Sequence, residues 1–474
     1  MRFLTVQGSS AAKGIFVACI FLLVALQLAV WSVEANTRAI GLILLVVCLI
    51  ISVAHQRLLL YAFLAAYVFL YDYLSYTEYR LFTLGGANIY LGDAFIFLFL
   101  SSSFIVVLQS KAVPGLDSKV GVAIVLFITW ALIGVIRGIP TWGYSAVGES
   151  RFIIWGILFF PVVQSIRKQE HFETVLRLSL VLILAYTVFR FNFHLIVECG
   201  GDLQLLLHTK FMGASRGVVL VSVFAFCLVL LLTHAVKNHR VPLIILAVVC
   251  GILIPLGART ALVAWLVSSL FILMTIKRWS LGSLFPLILI MGVAALFIIS
   301  FDLFSDESSW DPQASRGLTA FTSAEARETG TAHWRLMGWE NIITGTLGKD
   351  PLFGEGFGGY YDIFEAENKG VPPHNDWLLI FSKTGFVGLI FLFNVIYQVY
   401  ATGFRYIKRS TDILRRSYMQ ALLAAFLIGL VAGTFFMFFQ VMWVAAGLQV
   451  ALINLEENRS VSHSATHMRV SVHK

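Results

Sequence analysis

Long apolar runs closed by short polar breaks organise this chain from residue 14 to residue 455. The runs are about 16–22 residues long, enough for a helix to cross the hydrocarbon core of a bilayer. About fourteen such blocks can be laid out, at 14–33, 38–54, 58–76, 91–109, 120–137, 150–166, 174–195, 215–234, 241–257, 259–276, 282–301, 376–401, 418–434 and 436–455. The pattern predicts an all-α fold, a polytopic transmembrane helical bundle. The first block is too long for a signal peptide, has no clear small-residue cleavage site and begins a series of like blocks, so it reads as a retained span.

One connection departs from this rhythm. Residues 302–375 part the eleventh block from the twelfth, and a loop of that length usually carries function. Between 302 and 373 it holds twelve acidic and five basic residues. Inside it, Thr331 to Leu347 has helical spacing, with Leu336, Trp339 and Ile343 on one face, an amphipathic helix suited to a membrane surface. The organisation expected is therefore an N-terminal bundle over 1–301, the long loop over 302–375, further spans over 376–455 and a tail over 456–474.

Composition excludes a string of soluble domains. Hydrophobic residues make up 59% of the chain and charged ones 13%, with a mean hydropathy of +0.85, whereas a soluble domain is about a quarter charged. Four of the five cysteines, Cys19, Cys48, Cys199, Cys227 and Cys250, lie in apolar blocks, and no Cys-x-x-Cys pair occurs. Neither a disulfide framework nor a zinc or redox site is indicated. No internal repeat points to an inverted-repeat transporter.

Charge sets the orientation. With a cytoplasmic N-terminus, Lys111, Lys119, Arg167, Lys168, Lys237, Arg240, Lys277, Arg278 and the run from Arg405 to Arg416 fall inside, as does the C-terminal tail. The long loop then lies outside. Against this rule, Arg137, Arg151, Arg190, Arg216, Arg259 and Arg335 map to the outer side. A single interfacial arginine ordinarily snorkels to lipid headgroups. Six together point to a phosphate or pyrophosphate site, because the guanidinium fork matches phosphate oxygens bidentately. Arg216, Arg151 and Arg190, with Trp339 of the loop helix, are the candidate substrate-binding residues.

Two of these arginines sit among small residues, Arg216 in "GASRG" (213–217) and Arg259 in "GART" (257–260), where backbones can approach closely. "GASRG" also fits Gly-x-Ser-x-Gly, which would pair Ser215 with His374 in a serine hydrolase. That elbow needs a strand entering a sharp turn, and here a polar loop leads into a membrane helix. The twelfth block opens on "VPPHNDWLLIFSKTGFVG" (371–388). Pro372 and Pro373 stiffen the approach, and Asn375 or Asp376 can cap the first turn. His374 has no evident capping role. A lone interfacial histidine is more often structural, but beside Arg216, Arg259 and Arg335 its imidazole can take or orient a hydroxyl proton near neutral pH. Upstream, "PLFGEGFGGYY" (351–361) reads as a set of glycine turns, neither a Walker A loop nor a dinucleotide fingerprint.

Taken in order, "GART" at a span start, "WRLMGWENIITGTLGKDPLFGEGFG" in the long loop and "HNDWLLIFSKTGFVGL" resemble the O-antigen ligase and polymerase superfamily, over about 241–395. The N-terminal half resembles it in span layout and in "YLGDAFIF" (90–97), where Asp93 opens a span. The resemblance implies an inverting, metal-independent membrane glycosyltransferase of the bacterial inner membrane, with no cofactor and no nucleic-acid partner. Its donor would be a glycan on undecaprenyl pyrophosphate at the periplasmic face. Arg259 and Arg335 would hold the pyrophosphate and His374 would activate the acceptor sugar hydroxyl. That acceptor is a lipid-linked repeat unit for a polymerase or lipid A-core for a ligase. Transfer to a protein hydroxyl and a lipid-linked glycan flippase are the alternatives, although a flippase needs cations through the membrane depth. Metal-dependent membrane glycosyltransferases need a carboxylate pair in the first outer loop, where "VEANT" holds one acid; Glu365 and Glu367 in the long loop read as a solvated face.

Overall fold

The structure is a computed structural model that describes residues 56–69, 80–84, 87–110, 113, 115–151, 155–193, 196, 214–236, 240–254, 259–276, 331–358, 375–435 and 440–472. The expected spans at 14–33, 38–54 and 282–301 lie outside the described residues. The chain divides into two compact units, residues 1–112 with 174–182, and residues 113–173 with 183–474.

In the first unit, helix α1 (Gln56–Phe69) packs on α2 (Leu91–Ser110). Phe63 joins them, its ring edge-on to Phe95 and Phe99 at 5.8 and 5.4 Å. An antiparallel hairpin, β1 (Arg80–Leu84) and β2 (Ala87–Tyr90), pairs Leu84 with Ala87 and leads directly into α2. It is the strand element among the described residues and a small departure from an all-helical chain. Gly85 and Gly86 supply the two-residue connection that such hairpins favour. Asp93 stands in the first turn of α2, where a carboxylate meets the unpaired amide dipoles.

The second unit is helical. It comprises α3 (Lys119–Trp142), α4 (Ser145–Glu149), a 3-10 turn (Trp155–Leu158), α5 (Phe159–Ser165), the ends of α6 (Gln169–Phe193), α7 (Ala214–Leu232), α8 (Arg240–Leu253), α9 (Arg259–Thr275), α10 (Thr331–Lys349), α11 (Asp376–Arg409), α12 (Ile413–Phe435) and α13 (Gln440–Val472). Four described helices are long and apolar enough to cross a membrane: Lys119–Trp142, Gln169–Arg190, Asp376–Arg409 and Ile413–Thr434. This is a helical integral membrane protein.

Two expected spans take a different form. Block 150–166 is a 3-10 turn followed by a helix of 7 residues, because Pro161 has no amide to continue an α-helical ladder from the preceding turn. The last span runs on without a stop into the expected tail, giving a helix of 33 residues to Val472.

The core of this unit lies where α7, α9 and α12 pack together. Phe224 stands edge-on to Trp265 at 5.6 Å, and Phe226 stacks on Tyr418 at 5.9 Å. Ser417 donates to the Thr233 hydroxyl at 2.7 Å. Buried Trp443 of α13 stacks on Phe127 of α3 at 6.0 Å.

The segment that positions the rest is a break in α11. Gly385 has φ 67° and ψ −167° inside an otherwise regular helix. An α-helix bonds each amide to the carbonyl four residues back, so the break separates Phe386 N–H from Ser382 O and Val387 N–H from Lys383 O. The loop after α10 takes up all four groups. Phe386 and Val387 donate to Pro351 O (2.9 Å) and Leu352 O (3.2 Å), while Glu355 and Gly356 donate to Ser382 O (2.8 Å) and Lys383 O (3.2 Å). The indole of Trp130, on α3, donates to Thr384 O at 3.1 Å. No part of this stitch tolerates a side chain at Gly385, where a Cβ would lie 2.2 Å from Leu352 O.

Gly385→Ala is therefore expected to lower the unfolding free energy by about 2 kcal/mol or more, from backbone strain alone. Gly345→Ala in α10, where a Cβ meets nothing within 4 Å, is expected to gain about 0.8 kcal/mol from helix propensity. Thermal unfolding of the detergent-solubilised variants checks the contrast, and equal stabilities would contradict it.

Candidate functional site

Arg216 and Arg259 come together through backbone. Arg216 lies in the first turn of α7, and Arg259 is the first residue of α9. One residue beyond Arg216, a Cβ on Gly217 would stand 2.8 Å from the Ala261 methyl. The two helix starts thus pack as closely as the small residues of "GASRG" and "GART" allow. Two N-terminal dipole ends and two guanidinium-bearing residues share one end of the α7–α9 pair, which favours an anion.

Arg335 belongs to a different set of elements. It lies on α10, which packs on α11. Arg335 is part-buried, and at helical spacing it shares a stripe with Ile342 and Thr346, both buried. The stripe one residue on, about 100° around the helix, is open, with Leu336, Ile343 and Leu347 exposed by 60%, 38% and 48%. Trp339, expected on the open face, is part-buried on its flank. The amphipathic helix is present, and its cation is on the protein side.

His374 and the acidic pair Glu365 and Glu367 lie outside the described residues, as do Cys19, Cys48 and Cys199. Asn375, next to the histidine, is the N-cap of α11, with its side chain accepting from Trp377 N–H (3.1 Å) and Leu378 N–H (3.2 Å). Between the two capping candidates the structure selects Asn375, because its extended φ and ψ turn its carboxamide back onto the helix start, while Asp376 is fully buried within the first turn. Trp377 fastens this end, donating to Thr434 Oγ1 of α12 at 3.2 Å and stacking on Phe393 at 5.7 Å.

The remaining arginines of that group separate by position. Arg137, on α3, clamps the loop: its guanidinium donates to Asp350 Oδ2 (2.8 Å) and Phe353 O (2.9 Å) and lies over the Phe353 ring. It anchors the loop. Arg151 follows the short helix α4, part-exposed. Arg190 closes α6 in its last turn, where a cation suits the carbonyl end of the helix. Cys227 and Cys250 are buried free thiols. Among the described residues, no three His, Cys, Asp or Glu side chains gather to hold a metal.

Sequence reasoning missed two charged residues. Lys383 is 1% exposed, and its ammonium lies 3.5 Å from Glu149 Oε2. The same carboxylate oxygen accepts the Gly358 N–H. A lysine within an apolar run is itself a signal, since a membrane helix keeps one only where it is paired.

The described residues thus hold helices of membrane-spanning length, a loop helix carrying a part-buried arginine, and a broken helix stitched to a glycine loop. The family model described as O-antigen ligase matches residues 251–393. That segment holds Arg259, Arg335 and His374, agrees with the 241–395 expected from the motifs, and supports the O-antigen ligase superfamily. No curated protein and no solved structure matches the chain.

Asn375→Ala is expected to lose about 1 kcal/mol of stability as a removed N-cap, while Asp412→Asn, at an exposed loop position that retains its side-chain acceptor, is expected to stay within about 0.5 kcal/mol. Melting of the purified variants measures both, and an Asn375→Ala protein as stable as the parent would rule out the cap.

Proposed function

We propose that the chain is an inverting, metal-independent glycosyltransferase of the bacterial inner membrane. It moves a glycan from undecaprenyl pyrophosphate to a sugar hydroxyl at the periplasmic face, as an O-antigen or exopolysaccharide polymerase or an O-antigen ligase. The supporting observation is that one family-matched segment contains Arg259, at the packed starts of α7 and α9, and Arg335, on the protein-facing stripe of α10.

In this reading the acceptor hydroxyl oxygen attacks the anomeric carbon from the face opposite the leaving group. The bond from that carbon to the pyrophosphate oxygen breaks, and the electron pair leaves with undecaprenyl pyrophosphate. The hydroxyl proton passes to the imidazole of His374. Arg259 and Arg335 neutralise the charge that gathers on the pyrophosphate, the work that fixed cations perform where no metal is used. Arg216 adds a second cation beside Arg259, and Arg151, Arg190 and Trp339 complete the substrate-binding set. The exposed Leu336, Ile343 and Leu347 stripe lies against lipid and holds α10 at the membrane surface, where the lipid-linked donor arrives.

His374→Ala is expected to lose roughly a hundredfold in transfer rate with donor binding nearly intact. Arg259→Ala and Arg335→Ala are expected to abolish transfer, and lysine at either position to rescue it incompletely, because a point charge lacks the bidentate fork. Transfer and donor binding on purified variants check this, and an active His374→Ala protein would remove the histidine from the reaction. EDTA is expected to leave transfer unchanged, so a strict demand for magnesium or manganese would overturn the mechanism. Cysteines at Ser309 and Ser462 are expected to react with an impermeant reagent only from outside and only from inside, respectively. Labelling of both from one side would sink the orientation.

A further inference from the structure

We propose that Glu149 and Lys383 are positioning residues for the transfer reaction: their ion pair, sealed at the lysine and part-buried at the glutamate, locks the glycine loop into the break of α11. The proposal rests on the glycosyl-transfer reading above. Lys383 holds the loop twice, through its carbonyl, which accepts Gly356 N–H at 3.2 Å, and through Glu149, which accepts Gly358 N–H while pairing with the ammonium. Three segments therefore meet at one charge pair: α4, the 350–358 loop and α11. The loop leaves α10, which carries Arg335, and the break lies ten residues beyond Asn375, the cap next to His374. Whatever fixes the loop in the break fixes the Arg335 helix against the helix that starts beside His374.

The near end of the loop has its own fasteners. Arg137 binds Asp350 and Phe353 O, and Lys349 pairs with Glu355 at 3.0 Å. The far end, Gly356 to Gly358, depends on Lys383 and Glu149, together with the Phe357 N–H bond to Gly134 O at 3.2 Å and a long bond from the Ser145 hydroxyl to Gly358 O at 3.4 Å. Stability alone does not explain the pair, because well-packed apolar residues commonly serve a buried site as well as an ion pair does. What an ion pair adds is direction, one ammonium facing one carboxylate oxygen that also faces one amide. Lys383 is sealed from solvent and from substrate, so it acts through the loop.

The test uses the full-length chain in nanodiscs, with the lipid-linked glycan extracted from the producing cell as donor. Spin labels at Leu347→Cys on α10 and Ile390→Cys on α11, both exposed positions, report the distance between the two helices. K383M and E149Q are expected to broaden that distance distribution and to lower kcat by about a hundredfold, the scale of a 1 Å misplacement, with donor KM changed by less than about threefold. E149Q/K383M removes both charges while keeping an acceptor for the Gly358 amide, and is expected to recover the parent melting temperature, yet to keep the broad distribution and the low kcat. A double variant with parental melting, a narrow distribution and parental kcat would reduce the pair to a structural contact and overturn the proposal. The double variant also answers the question if K383M fails to fold. A parent chain that transfers no glycan, with the same broadening in K383M, would instead overturn the glycosyl-transfer reading while the clamp stands.

Discussion

A helix broken within an apolar span must find partners for every backbone group the break releases, because no water is there to supply them. At Gly385 the released groups are two amides and three carbonyls, and the loop from Pro351 to Gly356, with the Trp130 indole, takes them all. This requirement dictates the sequence around it. Gly385 is needed for its positive φ and because Leu352 O occupies the space of a Cβ, and Gly354 is needed because the Lys383–Thr384 peptide occupies its own. Pairing of this kind is reciprocal. The loop has a defined shape only against the broken helix, and the helix can break only against the loop.

The break converts the loop after α10 from a tether into a bracket. Without it, α10 would hang from a glycine-rich connection. With it, α10 is joined to α11 a few turns from the Asn375 cap and to α3 through Arg137 and Phe357. On the proposed reading such rigidity serves the reaction, since orientation supplies much of an enzyme's rate. The starts of α7 and α9 pack closely by another route, small residues that let the two helix backbones approach.

Much of the helical layout was legible along the chain. The block boundaries near 91–109, 215–234 and 259–276 fall within a few residues of α2, α7 and α9, because lipid-facing helices must be apolar over their whole length. The loop helix was legible from its spacing, ending at Lys349 rather than Leu347. Reading it as a surface helix placed Leu336 and Ile343 correctly but not Trp339, because periodicity defines a stripe without saying where its flank meets a neighbour. The place of Arg137 at the end of an apolar block was legible. That Arg137 clamps Asp350 and Phe353 was not, since its partners lie more than two hundred residues away.

By itself the sequence determined a helical membrane protein, the amphipathic helix of its long polar segment, the close packing implied by "GASRG" and "GART", and the family to which its 251–393 segment is similar. Those properties follow from local composition and short motifs, in which neighbours along the chain are the interacting partners. Tertiary structure decided that α11 is broken at Gly385, that Asn375 rather than Asp376 caps it, and that Lys383 pairs with Glu149. Each of these turns on a bond between distant segments or on a backbone angle. A pattern along one chain carries no record of which carbonyl will stand opposite a given amide.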